Sequence, residues 1–209
     1  MNSIPPSRRR SYWLKTLHQW HWMSAALSLT GLILFAATGL TLNNAAWLEA
    51  SPKTISRTLT LPAELAKSLA PNATAEKKRP LPGPIQAWLN QQLGIRIDSR
   101  PAEFSPDEIY LSLPEAGGDG WLSIDIASGD IEYERSTRGW IAYFNDLHKG
   151  RHAGAVWSWF IDILAVACLI FALTGLFLVK LHASNRPASW PLVSLGLVLP
   201  IIIMLVFVH

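Results

Sequence analysis

The sequence predicts a membrane protein in which three transmembrane α-helices carry a small α+β domain between the first and the second. Two observations predict it. The apolar residues are gathered into blocks, and Trp20–Leu42, Val156–Leu181 and Trp190–Val208 are each long enough, at about 1.5 Å per residue, to cross a hydrocarbon layer of about 30 Å. Charge is segregated too: residues 43–155 hold 14 of the 15 acidic and 12 of the 18 basic residues, whereas the other six bases lie in two segments without any acid.

Those six bases, Arg8, Arg9, Arg10, Lys15, Lys180 and Arg186, mark the cytoplasmic side, which puts the N-terminus inside and both the large domain and the C-terminus outside. The basic balance is therefore explained by topology and gives no reason to expect nucleic acid. Eight of the ten tryptophans lie at or near span ends, where an amphipathic ring suits the headgroup layer. A lone Cys168 inside a span cannot staple the outer domain, so that domain must hold by its core alone. A cleaved signal peptide would also have a basic front and an apolar body, but the run here exceeds an h-region and Leu42-Asn43-Asn44-Ala45 is a poor cleavage site.

The chain divides into a cytoplasmic arm (1–15), a first span (16–42), an outer domain (43–147), a second span (148–182), a cytoplasmic turn (183–189) and a third span (190–209). The arm is polar, basic and proline-containing. Along the first span, helical steps from His21 collect Ser24, Ser28, Gly31, Phe35, Thr38 and Leu42, a stripe of mostly small residues suited to close helix contact. The outer domain opens with an irregular Thr- and Ser-rich connection, and Ala63–Leu69 and Ile85–Leu93 follow as short helices, the second entered through Pro82-Gly83-Pro84. Strands are expected at Ile95–Asp98, Glu108–Leu113, Trp121–Ile126 and Ile131–Glu134, with a Ser128-Gly129 turn between the last two. Lys77-Lys78-Arg79 is expected to be a solvated loop. No catalytic triad, phosphate loop or dinucleotide fingerprint is present.

Function is placed at the second span. Steps of three and four from His148 give His152, Ala155, Trp159, Asp162, Ala165, Cys168, Ala172, Gly175, Val179 and His182, a stripe with three histidines and one acid. Phe35–Leu42 and Phe171–Leu178 match at six of eight positions, and Leu17-His18 and Leu147-His148 precede them. Because one helix runs outward and the other inward, this is a short inverted repeat in which His18 and His148 are equivalent.

Trp121–Asp130, with its Asp125-Ile126-Ala127-Ser128-Gly129 turn, feeds through a short amphipathic segment into Asp146-Leu147-His148-Lys149-Gly150. In this the sequence resembles the PepSY-associated transmembrane family, in which a PepSY domain ends in strand, D-x-x-[ST]-G turn and strand, and an LH motif opens the next helix. Leu17-His18-x-Trp20 is similar to the family's LH-x-W, and the Thr38-Gly39 and Thr174-Gly175 pairs fall near helix ends. The resemblance covers residues 12 to 181 and implies a PepSY-like periplasmic domain in a bacterial inner-membrane protein. Members similar to periplasmic ferrisiderophore reductases carry b-type haem between their helices and reduce ferric chelates. This chain is about half their size and has fewer spans.

The six histidines, His18, His21, His148, His152, His182 and His209, all lie at span borders. Bis-imidazole haem needs ligands on opposite faces of the macrocycle at one depth, which a single helix cannot supply. His18 and His21 share the inner edge with His182, and His148 and His152 share the outer edge with His209, so one or two b haems are expected, with His18 and His148 the leading ligands. Two other readings remain open: interfacial anchoring, and a divalent metal held by His18-x-x-His21 or by His148-x-x-x-His152 with Asp146 or Asp162. Asp162, the only carboxylate in an apolar span, is costly to bury unpaired and is a further candidate, as a proton relay or as a support for a ligand. The expected function is electron transfer to a periplasmic acceptor such as a ferric chelate. Donors are a quinol or a cytoplasmic partner, since no flavin or nicotinamide site is visible, and the outer site can also draw on a second protomer in a homodimer. A membrane-anchored, non-enzymatic binding subunit and an accessory protein for metal uptake are the alternatives.

Overall fold

The computed structural model describes residues 6–48, 50–67, 69, 77–97 and 99–208, with the side chains of 6–9 and 185 excepted. Two compact units are formed, one from residues 1–35 and 159–209 and one from residues 36–158.

The first unit is helical. Helix α1, Pro6–Asn43, starts where a proline suits the first turn and meets no breaker before Gly31. It thereby takes up much of the polar, proline-containing arm. Helix α6 spans Gly154–His182 and α7 spans Ser189–Phe207, and a 3₁₀ turn at Ala183–Asn185 follows α6. Three helices are long and apolar enough to cross a membrane: residues 10–43, 154–182 and 189–207. The chain is a membrane protein.

Within this unit α1 and α6 run antiparallel in contact, as the pairs Gly31 with Leu164 and His21 with Gly175 show. Ser24, Ser28 and Gly31 are buried, so the stripe read from His21 is the packed face of α1. Ser24 Oγ donates to Trp20 O at 2.7 Å and Ser28 Oγ to Ser24 O at 2.7 Å, so neither hydroxyl is left unsatisfied. A Cβ on Gly31 would run into the Leu164 side chain, so the helices are as close there as hydrogen on Cα permits.

The second unit is an α+β domain between the first and second spans. Short helices α2 (Ala45–Leu48), α3 (Ala63–Ala66) and α4 (Gly83–Leu93) accompany strands β1 (Lys53–Thr60), β2 (Lys78–Pro80), β3 (Pro101–Phe104), β4 (Glu108–Ser112), β5 (Gly118–Asp125) and β6 (Asp130–Thr137). Helix α5, Gly139–His148, follows. The sheet is antiparallel throughout, in the order β1-β6-β5-β4-β3-β2. Alternation decides its two faces: Ile109, Leu111, Leu122, Ile124 and Ile131 are buried with Ile85, Leu89 and Leu93 of α4, which recur about one helical turn apart. Gly94, at φ 65°, ends α4 in the left-handed conformation that glycine adopts without strain.

The structure differs from the sequence expectations at several places. The Thr- and Ser-rich connection is β1, paired with β6 from Lys53↔Thr137 to Thr60↔Asp130; its exposed position at the sheet edge removes the apolar alternation that marks a strand. Lys77-Lys78-Arg79 is no loop: Lys78 and Arg79 lie in edge strand β2, where Lys78 pairs with Glu103 at 2.6 Å and the Arg79 guanidinium lies 4.0 Å from the Phe104 ring centroid. Ile95–Ile97 is a loop, because the Ile97 N–H is taken by Asn90 Oδ1 at 2.6 Å; Asp98 lies outside the described residues. The second span starts at Gly154, six residues later than expected, since α5 ends at His148 and residues 149–153 turn. Gly150 (φ 68°), His152 (φ 53°) and Gly154 (φ 80°) are left-handed, which no continuous helix allows.

Candidate functional site

That turn dissolves the long stripe drawn from His148. His148 ends α5, His152 sits exposed in the turn, and on α6 the residues that pack are Leu164, Ala167, Phe171, Thr174 and Gly175. Trp159, Asp162, Ala165 and Ala172 are exposed. The physical reason is period: the stripe takes ten steps over 34 residues, below 3.6 per turn, so it winds around the helix instead of following one face. Asp162 points roughly opposite the face that meets α1.

The inner-edge histidines fall into two kinds. His18 Nδ1 lies 2.8 Å from Leu14 O and His182 Nδ1 lies 2.9 Å from Leu178 O, each one turn back on its own helix. A carbonyl only accepts, so in both rings Nδ1 carries the hydrogen, and in that tautomer the lone pair is on Nε2. The two rings face each other edge to face, with centroids 6.1 Å apart and planes at 89°. Both are exposed, so the pair stands on an open flank of the α1–α6 contact.

His21 is built into the contact itself. Its Nδ1 meets Thr174 Oγ1 at 3.0 Å and Phe171 O at 3.2 Å, and its ring stacks on Phe171 at 4.8 Å and 17°. Thr174 Oγ1 donates back to Ile170 O at 2.7 Å, leaving its lone pairs to accept from the imidazole. A Cβ on Gly175 would stand 3.2 Å from His21 Cε1, a tight contact that would press on the ring.

A similar arrangement recurs in the second unit. Thr38 Oγ1 meets His148 Nδ1 at 2.7 Å, and a Cβ on Gly39 would stand 3.7 Å from His148 Cε1. Each Thr-Gly pair of the internal repeat thus receives a histidine through the threonine hydroxyl and over the glycine. Judged by contact, the counterpart of His148 is His21 rather than His18, three residues off the alignment of the Leu-His pairs.

Around His148 the chain is fixed by polar groups. Asp146, with its side chain 6% exposed, accepts from the Gly117 N–H at 2.9 Å and from Arg138 Nη2 at 3.1 Å. Gly117 has φ 74° and a Cβ there would sit 2.7 Å from the Tyr143 Cα, so α5 can lie against this hairpin only because residue 117 is glycine. Thr41 Oγ1 lies 2.8 Å from Asn145 Oδ1, and Trp157 Nε1 donates to Leu147 O at 2.8 Å. The conspicuous Asp146-Leu147-His148 run is therefore an anchor as well as a candidate ligand.

The metal spacing read from sequence produces no common site. His18 and His21 turn to different partners, His148 and His152 are separated by the break, and among the described residues no three His, Cys, Asp or Glu side chains converge. His209 lies outside the described residues.

A cleft of about 580 Å³ lies beside His152, walled by Trp140, Tyr143 and Leu147 and floored by the Glu115–Arg135 pair. Arg135 Nε and Nη2 reach Glu115 Oε1 and Oε2 at 2.6 and 2.9 Å, a two-pronged bond that holds the guanidinium in its charged form and raises its pKa. Sequence reasoning missed this cleft, because its residues come from three separated segments.

No curated protein and no solved structure gives a match to this chain. A family model described as putative PepSY_TM-like matches residues 12–209, nearly the whole chain, and with three candidate spans and a sheet domain between the first and second the protein belongs to that family.

Proposed function

We propose that this chain is a b-type haem protein of a bacterial inner membrane that passes electrons to a periplasmic acceptor such as a ferric chelate. One observation carries the reading: the His18 and His182 rings, on different helices, have centroids 6.1 Å apart, and a carbonyl of its own helix takes the Nδ1 of each, which leaves Nε2 as the nitrogen able to bind a metal. The 6.1 Å between ring centres is near the ~6 Å that two imidazoles sharing one metal at about 2 Å per nitrogen would have, so His18 and His182 would hold a haem iron once each ring turned its Nε2 edge toward it. The Leu14 and Leu178 carbonyls do the work expected of outer-shell partners, fixing tautomer and ring orientation. A bound haem would supply a one-electron couple within the apolar layer.

His148 is the ligand proposed for a second, outer haem, with Thr38 orienting its ring and the opposing imidazole coming from a second protomer. His21, held by Thr174 and Phe171, positions α1 against α6 beside the inner pair. The cleft at His152, with Arg135, Trp140 and Tyr143, is the proposed docking place of the acceptor. Electrons enter from a quinol or a cytoplasmic donor at the edge carrying Arg10, Lys15, Lys180 and Arg186, with the N-terminus cytoplasmic and the C-terminus periplasmic.

The test is an absorption spectrum of the purified protein, expressed with ample haem, air-oxidised and then reduced with dithionite. A low-spin Soret band that shifts on reduction is expected, and His18→Ala and His182→Ala should each remove the inner component while the helical circular dichroism is kept. No Soret band, or a full spectrum in both variants, overturns the reading.

A second reading, a non-enzymatic binding subunit, is favoured by the sheet face opposite the core. It is open, and it displays stacked Tyr110 and Trp121 (centroids 6.3 Å apart) beside Glu132 and Glu134. Haem-free protein that still captures a periplasmic partner through Trp121 would bring that reading forward.

A further inference from the structure

Between α1 and α6, at the end of the first unit where both helices become basic, the packed seam opens into a groove of about 520 Å³. The seam is tight where Gly31 and Gly175 take up little room, and it widens where the facing residues are Leu14, Leu17, Phe177 and Leu181. The wall they form is almost wholly apolar, with Trp13 at one side. Arg10 and Lys180 stand at its rim, one from each helix.

Neither cation has an ion-pair partner among the described residues, and the segments that hold them, 1–15 and 180–189, contain no carboxylate in the sequence. A groove with an apolar floor, two unpaired cations at the lip and a tryptophan at headgroup level has the chemistry of an amphiphile site with an anionic head. We propose that it binds one anionic phospholipid of the adjoining leaflet. Its phosphate lies between Arg10 and Lys180, and one acyl chain runs down the groove along Leu14, Leu17 and Phe177. This assignment does not depend on haem.

The floor and the rim recognise different parts of the lipid, so they can be tested apart. The full chain is reconstituted in nanodiscs of equal phosphatidylglycerol and phosphatidylcholine, and the lipid retained on release is identified by native mass spectrometry. Phosphatidylglycerol is expected to be retained in preference, and Arg10→Gln with Lys180→Gln should lower that preference about fivefold per cation removed while the protein stays folded. Leu17→Trp, which fills the floor and leaves both cations, should remove the retained lipid altogether. Equal retention of the two lipids, an unchanged preference in the double variant, or undiminished lipid in Leu17→Trp overturns the proposal. Displacement by millimolar inorganic phosphate also overturns it, since that would make the site one for a free anion.

Discussion

Glycine matters in this protein where helices meet. Gly31 has Leu164 against it, Gly175 has the His21 ring, and Gly196 on α7 has nothing within 4 Å of where its Cβ would be. Gly31→Leu should therefore lower the detergent-resistant folded yield in keeping with an overpacking cost of about 1–3 kcal/mol, and Gly196→Leu should leave it unchanged. Equal yields from the two variants would show that the α1–α6 contact contributes nothing to folding. The stripe holding Gly31 was legible because its steps from His21 to Leu42 stay near 3.6 residues and no break interrupts them. The stripe from His148 was not, since Gly150, His152 and Gly154 reset the helix and its steps drift. The histidines were legible individually as candidates. Which of them meets a Thr-Gly pair was not, because alignment of the Leu-His pairs and contact in three dimensions differ by one turn.

At the scale of elements, the sheet was legible where one face is buried and hidden where it is not. β4, β5 and β6 alternate because α4 covers one side of them, whereas β1 has a single partly buried residue, Leu59, and reads as a polar connection. The β5–β6 turn is the element most open to a pH test. Asp125 Oδ1 accepts from the Ser128 N–H at 2.7 Å and the Ser128 hydroxyl at 3.0 Å, and these bonds, the backbone one foremost, hold the carboxyl below the usual carboxylate range. Because the folded pKa is depressed, the contribution is complete above the unfolded value and is lost as pH falls through the folded one. Asp125→Asn should thus loosen this turn at neutral pH, read as faster amide exchange of the peptide around Ser128 and Gly129. Once corrected for intrinsic rates, wild type and variant should converge only below the ordinary carboxylate range. Identical exchange at neutral pH would show that backbone bonding alone closes the turn.

For the whole molecule the governing asymmetry is electrostatic. Residues 43–155 carry charges of both signs, and the segments flanking the other ends of the spans carry bases alone, the pattern expected where cytoplasmic loops retain Lys and Arg. Two exposed sites report on the two sides: Thr58 on β1 and Ser184 in the turn after α6. In a Cys168→Ala background, Thr58→Cys should react with a membrane-impermeant maleimide once the outer membrane is opened, with the inner membrane intact. Ser184→Cys should react only after detergent is added. The two are predicted together because the second span separates them: with a single crossing between residues 154 and 182, labelling of one in intact spheroplasts requires protection of the other. Labelling of Ser184→Cys without detergent would invert the protein. Arg10 and Lys180 would then face the outer leaflet, and the proposed route of electrons would run inward, leaving no path to a periplasmic acceptor.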